Sequence, residues 1–382
     1  MKGHSKIALF HPWIKSKGGA EKVVLELLEK SKHDFDIYTW VYDKENSFEG
    51  FKKYKIKIIA PKFGKKLSRF HIFRGLFLPL SLLEKIPLEK YDKFLISTSG
   101  VGEFITFKNY KKGQTYAYCH TPLREANKKI VEWNLKNRYG KNYFKKCFYL
   151  TAVKIYRLFE KKAWKKLDVI IFNSELSESR ARKQGLLQKQ KKHIIYPPID
   201  FSRFESLKIK RGNAFVYISR LNPPKRQDLL IKAWKIFSKK YKKYKLILIG
   251  TPDNKKYFKK LIKLSKEDKS IKIKSKISNK ELENILSTSL AGLFLGYSED
   301  FGMVPLEILA TGKPLLATDE GGYVKVIKNH PLFHKIKEKH SSEEMVKEIA
   351  KELENFVKKK QKRTAKKLKI KNFVKEIDKI LE

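Results

Sequence analysis

A chain of 382 residues, 41% of them hydrophobic, is longer than one core usually supports, so two packed domains are expected and a disordered body is excluded. The 87 Lys and Arg against 40 Asp and Glu leave a net charge of +47. That excess points to nucleic acid, an anionic membrane face or an anionic substrate, or to a general lysine bias, since it is spread along the whole chain.

Two cysteines, Cys119 and Cys147, argue against a disulfide scaffold in a chain this long. The first residues, MKGHSKIALFHPW, run straight into a strand pattern without the apolar region of a signal peptide. The most apolar window, residues 73–83, is too short for a bilayer span and is interrupted by Arg74, Gly75 and Pro79. The expectation is a cytoplasmic protein, at most peripheral on the inner face of a membrane.

In chain order, residues 7–10 read as a buried strand, followed by a loop over 11–17. Gly18-Gly19-Ala20-Glu21 then opens a helix whose apolar face is Val23, Val24, Leu27 and Leu28. A glycine turn before a helix is either plain turn chemistry or a place where backbone approaches a phosphate. Strands are predicted at 35–38, 56–59, 94–97 and 115–119, with helical segments between several of them, an alternation that argues for a parallel sheet covered on both faces. The last of these ends in Cys119-His120-Thr121-Pro122-Leu123-Arg124, which places His120 just beyond the carboxyl end of a buried strand, where open α/β sheets bind ligands. Arg124 is a second candidate there, for an anionic group.

Residues 130–165 interleave Trp133, Tyr139, Tyr143, Phe144, Phe148, Tyr149, Tyr156, Phe159 and Trp164 with many bases. Such helices suit an anionic membrane surface or a lipid-linked acceptor, stacking on single-stranded nucleic acid, or the ordinary closing of a domain. Residues 168–172 are predicted as the last strand of the first domain, with Asn173-Ser174 capping the next helix. Tyr196-Pro197-Pro198-Ile199-Asp200 restricts the backbone and reads as the connector between domains.

A second α/β unit begins with a strand at 214–219, Arg220 at its end and Lys225 at the mouth of the following helix. Two cations so placed can neutralise a diphosphate, although R-x4-K alone is common in so basic a chain. Strands at 245–250, ending in Gly250, and at 271–274, ending in Lys274, come next. Ser278 to Glu281 reads as a capping box, and 290–295 as another strand. That strand delivers GYSEDFGMVPLEILATGKPLLATDEGG over 296–322, in which Pro305 restricts the helix start to residues 302–304. Glu299 is expected in the loop facing the helix mouth, with Glu307 in the first turn. Eight helical residues span about 12 Å, so the two carboxylates do not share one proton. Beyond Gly322 the chain is expected to be helical and basic, and no His/Cys/Asp cluster has the spacing of a metal site.

GGAE, HTPxR, PPxD, R-x4-K and E-x7-E, in this order over nearly the whole chain, resemble retaining glycosyltransferases of the GT-B fold, glycosyltransferase family 4. Phe301, Gly302, Pro305, Glu307, Gly312 and Pro314 all match its donor-site pattern. The resemblance implies an α/β protein of two Rossmann-like domains facing each other across a cleft: residues 1–197 on the acceptor side, with a last helix at about 364–382 packing back onto it, and residues 198–363 binding the sugar nucleotide. It implies His120, Arg220, Lys225 and Glu299 as catalytic residues. Gly18, Gly19, Arg220, Lys225, Gly250, Lys274, Glu299, Phe301, Gly302, Met303, Val304 and Glu307 are implied to contact the donor. Arg220 and Lys225 would take the phosphates, Glu307 the ribose and Glu299 the sugar hydroxyls, without a metal or cofactor. HTPxR with EDFGxVPLE is most similar to mannosyltransferases using GDP-mannose and a glycan or lipid-linked acceptor. UDP-sugar transferases share most of these residues, and a sugar-nucleotide epimerase or an inactive nucleic-acid- or membrane-binding protein of the same fold remains an alternative.

Overall fold

The computed structural model describes residues 3–59, 85–139, 142–210, 212–275, 277–359, 368 and 370–382. The apolar window at 73–83 lies outside the described residues. The chain divides into two compact units, Met1–Pro198 with Ile370–Glu382, and Ile199–Lys369.

The first unit is built on β1 (Lys6–Phe10), β3 (Asp34–Thr39), β5 (Ile56–Ile58), β6 (Lys93–Thr98), β7 (Thr115–Cys119), β8 (Val169–Phe172) and β9 (Lys191–Ile194), with the short β2 (Trp13–Ile14) and β4 (Val41–Tyr42) pairing apart from them. The seven form one parallel sheet in the order β5-β3-β1-β6-β7-β8-β9. Successive side chains of a strand point to opposite faces, and the packing follows that alternation. Ala8, Phe10, Phe94, Ile96, Ala117 and Cys119 enter one core. Ile7, Leu9, Leu95, Tyr116 and Tyr118 enter the other. Burial on both faces explains why these strands read as continuous apolar runs.

The helix Gly19–Lys30 covers the second of those cores with Val23, Val24 and Leu27. Beside it lies the helix Phe373–Ile380, contributing Phe373, Val374 and Ile377 to the same core. The Phe373 ring stands edge-on to Tyr118 at 5.5 Å. Ser31 Oγ donates to Asp378 Oδ1 at 2.5 Å and the Lys32 amide to Asp378 Oδ2 at 3.2 Å, which ties the end of the chain to this unit. The opposite core is closed by Ala163 and Trp164 of the helix Tyr143–Trp164.

The second unit holds β10 (Ala214–Ile218), β11 (Lys245–Ile249), β12 (Ile271–Lys274), β13 (Ser289–Phe294), β14 (Leu315–Thr318) and β15 (Phe333–Ile336), all parallel, in the order β12-β11-β10-β13-β14-β15. The helix Gln227–Lys240 buries Leu229, Leu230, Ala233, Trp234 and Phe237, the face that its spacing predicts.

Three elements differ from the sequence expectation. Val169–Phe172 is not the last strand of its domain, because β9 pairs beyond it. The chain after Gly322 is not wholly helical, because β15 joins the second sheet. Ser278 Oγ accepts from the Glu281 amide, but the Glu281 carboxylate is held by Lys274, so only half of the capping box forms. Among the described residues no helix is long and apolar enough to cross a membrane.

Candidate active site

In each sheet the strand order reverses at one place. β10 lies between β11 and β13, and β1 between β3 and β6. Chain leaving the carboxyl ends of two such strands in opposite directions opens a crevice, the ordinary ligand position of an open α/β sheet.

In the second unit, that position is occupied by the segments following β10 and β13. Arg220 is the second residue beyond β10. Its side chain is 56% exposed and its Nη1 lies 3.4 Å from Asp253 Oδ2, which also accepts from Asn222 Nδ2 at 3.0 Å. Lys225 ends a short turn, Pro223–Lys225, two residues before the helix proper. Its Nζ donates to Glu299 Oε2, with side chains 15% and 19% exposed, and it also stands 5.3 Å over the Phe294 ring. The sequence expectation gave these two residues separate partners on a ligand; here each is the other's partner.

Several contacts hold this pair in place. Buried Tyr217 donates through its hydroxyl to the Lys225 carbonyl at 2.5 Å and accepts from the Leu295 amide at 3.2 Å, tying one segment to the other. The Tyr297 amide donates to the Pro224 carbonyl at 2.8 Å. Next to Lys225, Arg226 has a left-handed backbone (φ 57), forks onto both Glu338 oxygens at 2.9 and 2.7 Å, and lies 4.4 Å over the Tyr297 ring. Sequence reasoning missed Arg226 and Glu338, which stand 112 positions apart with no local signal joining them.

The helix at 303–310 starts where Pro305 requires. Gly302 caps it with φ 89, and Met303 and Val304 are its first residues. Their amides lack acceptors within the helix, which suits them to an anion or a hydroxyl. Phe301 is buried, and its carbonyl accepts from the Tyr323 amide at 2.7 Å. Glu307 is the fifth residue of Met303–Ala310 and not in the first turn as expected, because the helix begins only after Gly302.

The remaining donor-side candidates lie on the neighbouring strands. Gly250 adopts φ 159 and passes so close to β10 that a Cβ would sit 1.7 Å from the Ser219 carbonyl oxygen. Its amide donates to the Lys274 carbonyl at 3.0 Å, and Lys274 Nζ donates to Glu281 at 2.6 Å. All the strands being parallel, Arg220, Gly250, Lys274 and Glu299 share the carboxyl edge of one sheet.

In the first unit, Gly18 caps the helix Gly19–Lys30. The buried Glu21 carboxylate, which accepts from Ser16 Oγ at 2.9 Å, folds back to where a Gly18 Cβ would stand. A carboxylate therefore already meets the positive end of that helix. His120 follows β7; its amide donates to the Thr98 carbonyl at 2.9 Å, and its carbonyl accepts from Asn173 Nδ2 at 2.8 Å. Burial and the neighbouring His11 push its imidazole down to about 3. Among the described residues no group of three His, Cys, Asp or Glu side chains is placed to hold a metal ion.

Residues 198–371 match the family described as Glycosyl transferases group 1. The second unit is a group 1 glycosyltransferase domain. Alpha-1,3/1,6-mannosyltransferase ALG2 of Kluyveromyces lactis is 26% identical to this glycosyltransferase over 375 residues, covering 84% of this chain and 71% of that protein. The GDP-Man:Man(3)GlcNAc(2)-PP-Dol alpha-1,2-mannosyltransferase of Homo sapiens is 26% identical over 369 residues, covering 84% and 74%. In structure, HepE of Anabaena in complex with UDP and glucose superposes with a TM-score of 0.62 at 16% identity, covering 93% of this chain and 91% of that one. The fold is GT-B, two α/β domains each on a parallel sheet.

Proposed function

We propose that this glycosyltransferase moves mannose, with retention, from GDP-mannose to a lipid-linked glycan, and that it does so without a metal. The observation that carries the reading is the Lys225–Glu299 pair at the point where the second sheet reverses its strand order. A cation for phosphate and an acid for sugar hydroxyls stand there in contact, and Glu299 lies four residues before the start of the helix Met303–Ala310.

In this reading the bond from the sugar anomeric carbon to the diphosphate breaks, and negative charge gathers on the departing oxygen. Arg220 and Lys225 stabilise that charge, together with the amides of Met303 and Val304. The acceptor hydroxyl forms its new bond on the face that the diphosphate leaves, and its proton passes to the departing phosphate oxygen. Glu299 orients the sugar and Glu307 the ribose. His120, kept neutral by burial, positions substrate and does not serve as the base. Mannose, GDP and the lipid-linked acceptor are supported by the names of the yeast and human relatives.

The helix Tyr143–Trp164 supports a membrane-borne acceptor. Phe144, Phe148, Ile155 and Leu158 are exposed along it amid Lys145, Lys146, Lys154 and Lys161. We place this face against an anionic membrane surface, with the protein peripheral to it.

A thermal-shift panel of GDP-, UDP- and ADP-sugars tests the donor, since a ligand that binds only the folded state raises the melting temperature. GDP-mannose is expected to give the largest shift, unchanged by a chelator. A shift from a UDP-sugar alone would transfer the assignment to that donor. Donor consumption without an acceptor, giving free mannose slowly, separates an active transferase from a binding protein that has kept the fold.

A further inference from the structure

Three polar side chains line up where the first sheet reverses its strand order. His11 follows β1 directly, Ser97 is the fifth residue of β6, and His120 follows β7. Ser97 Oγ lies 3.0 Å from His11 Nδ1 and 2.9 Å from His120 Nε2. The two rings are 6.4 Å apart and nearly perpendicular. His11 and Ser97 are buried, at 1% and 2% exposure, and His11 Nε2 has no hydrogen-bond partner among the described residues. The transfer reaction as written above uses neither of them.

A hydroxyl carries one proton, so Ser97 can donate to one imidazole and must accept from the other. Burial holds both rings neutral at physiological pH, pushing His11 down to about 4 and His120 to about 3. Each ring then has one N–H and one lone pair, and only two arrangements are consistent. In one, His11 Nδ1–H donates to Ser97, Ser97 donates to His120 Nε2, and His120 carries its proton on Nδ1. In the other the direction is reversed, and His11 must bury an unpaired N–H at Nε2. Orphaned buried N–H groups are rarer than under-used acceptors, and His11 Nε2 is buried without a partner, so the first arrangement is the one this site favours.

We propose that His11, acting through Ser97, is a positioning residue that holds His120 as its Nδ1–H tautomer, so that the nitrogen away from Ser97 is always a hydrogen-bond donor to a substrate oxygen. The inference rests on the proposed function only in giving that donor a substrate. The tautomer itself is a property of the free protein.

The experiment is long-range proton–nitrogen correlation spectroscopy on the full chain labelled with nitrogen-15 histidine, with the His120 signals identified by their loss in His120→Gln. In the unaltered protein, His120 is expected to show a protonated Nδ1 and a bare Nε2. Ser97→Ala and His11→Leu should mix or reverse that pattern. His11→Asn, whose amide N–H stands where Nδ1–H stood, should restore it. In transfer assays Ser97→Ala should lower kcat about tenfold with donor KM unchanged, the loss of one hydrogen bond's orientation. A proton on Nε2 of His120 in the unaltered protein overturns the inference, even where a variant fails to fold. So does an unchanged tautomer in folded Ser97→Ala. Failure of the unaltered protein to transfer sugar, with the tautomer as expected, counts against the transfer reading and leaves this one standing.

Discussion

Lys225 Nζ donates to Glu299 Oε2 although the two residues are 74 positions apart, joining the segments that leave β10 and β13. Both side chains are largely sheltered from solvent. In the proposed reading, a donor entering here exchanges this pair for its own phosphate and hydroxyl contacts, so each residue is held ready by the other. Lys225→Met and Glu299→Gln are each expected to lower kcat/KM for the donor by about 10² to 10³-fold, the range for one lost charge-stabilising contact. Since either change already breaks the pair, the double variant should lose far less than the product of the two. A double-mutant cycle on kcat/KM measures this, and additive losses would mean that the two act independently.

Gly302 and Gly312 bracket the same helix, and the structure separates their roles. Both have positive φ, 89 and 74. At Gly302 an added Cβ would stand 2.8 Å from Tyr323 Cδ1, whereas at Gly312 it meets nothing within 4 Å. Tyr323 cannot move aside, because it is fully buried and its hydroxyl donates to the Thr318 carbonyl at 2.6 Å. Gly312→Ala should therefore show only the backbone cost of about 1–2 kcal/mol. Gly302→Ala should add displacement of the helix start and weaken donor binding, which Gly312→Ala should leave alone. Urea unfolding with titration calorimetry of the nucleotide separates the two effects.

What the sequence made legible follows from where its signals are local. The central strands are apolar on both faces, so β1, β6, β7, β10, β11 and β13 stand out as runs, and residues just beyond them fall at the ligand edge without further information. β9, Lys191–Ile194, is exposed along its whole length and has no apolar signature, so the strand predicted to be last was not. β15, with one fully buried residue among four, was hidden for the same reason. Side-chain partnerships were the least readable part. Nothing near Lys225 announces Glu299, nothing near Arg226 announces Glu338, and His11 was read as one residue of a loop until Ser97 joined it to His120.

The two histidines at the first sheet give the protein a predictable response to acid. Burial depresses both, His11 to about 4 and His120 to about 3, below the value of about 6.5 in an unfolded chain. Between those limits the unfolded chain binds protons that the folded one refuses, so stability rises with pH. Their contribution is fully present above about pH 6.5 and is lost as pH falls toward 4 and then 3. Buried Glu103, whose carboxyl is raised by burial, works in the opposite sense, and Asp36 and Asp268, held low by their partners, add losses at more acid pH. Comparison with His11→Phe removes these common contributions. The variant's unfolding free energy should fall less steeply below pH 6, by up to about 1.4 kcal/mol per pH unit. Equal slopes in urea titrations would mean that His11 takes up its proton in the folded protein as readily as in water.

The helix Tyr143–Trp164 is amphipathic in an unusual sense, because its second apolar stripe faces solvent. Its inner face buries Val153, Ala163 and Trp164. Phe144, Phe148, Ile155 and Leu158 follow one another at spacings of four, seven and three along another face, and Phe144 and Phe148 are 84% and 79% exposed. A stripe that the fold leaves uncovered and borders with lysines matches an anionic bilayer better than a protein partner, since both its apolar and its charged parts find counterparts there. Burying each Phe is worth about 1.5–3 kcal/mol. Phe144→Ser with Phe148→Ser should therefore weaken binding to anionic vesicles by more than about a hundredfold, a loss of about 3 kcal/mol or more. Raising the salt should weaken the unaltered protein as well, by screening the lysines. The double variant should keep full transfer to a short, water-soluble acceptor and lose it toward one embedded in vesicles. Vesicle flotation run beside both assays tells the outcomes apart. Equal loss on the two acceptors would mean that this face supports the catalytic domain and not the membrane contact.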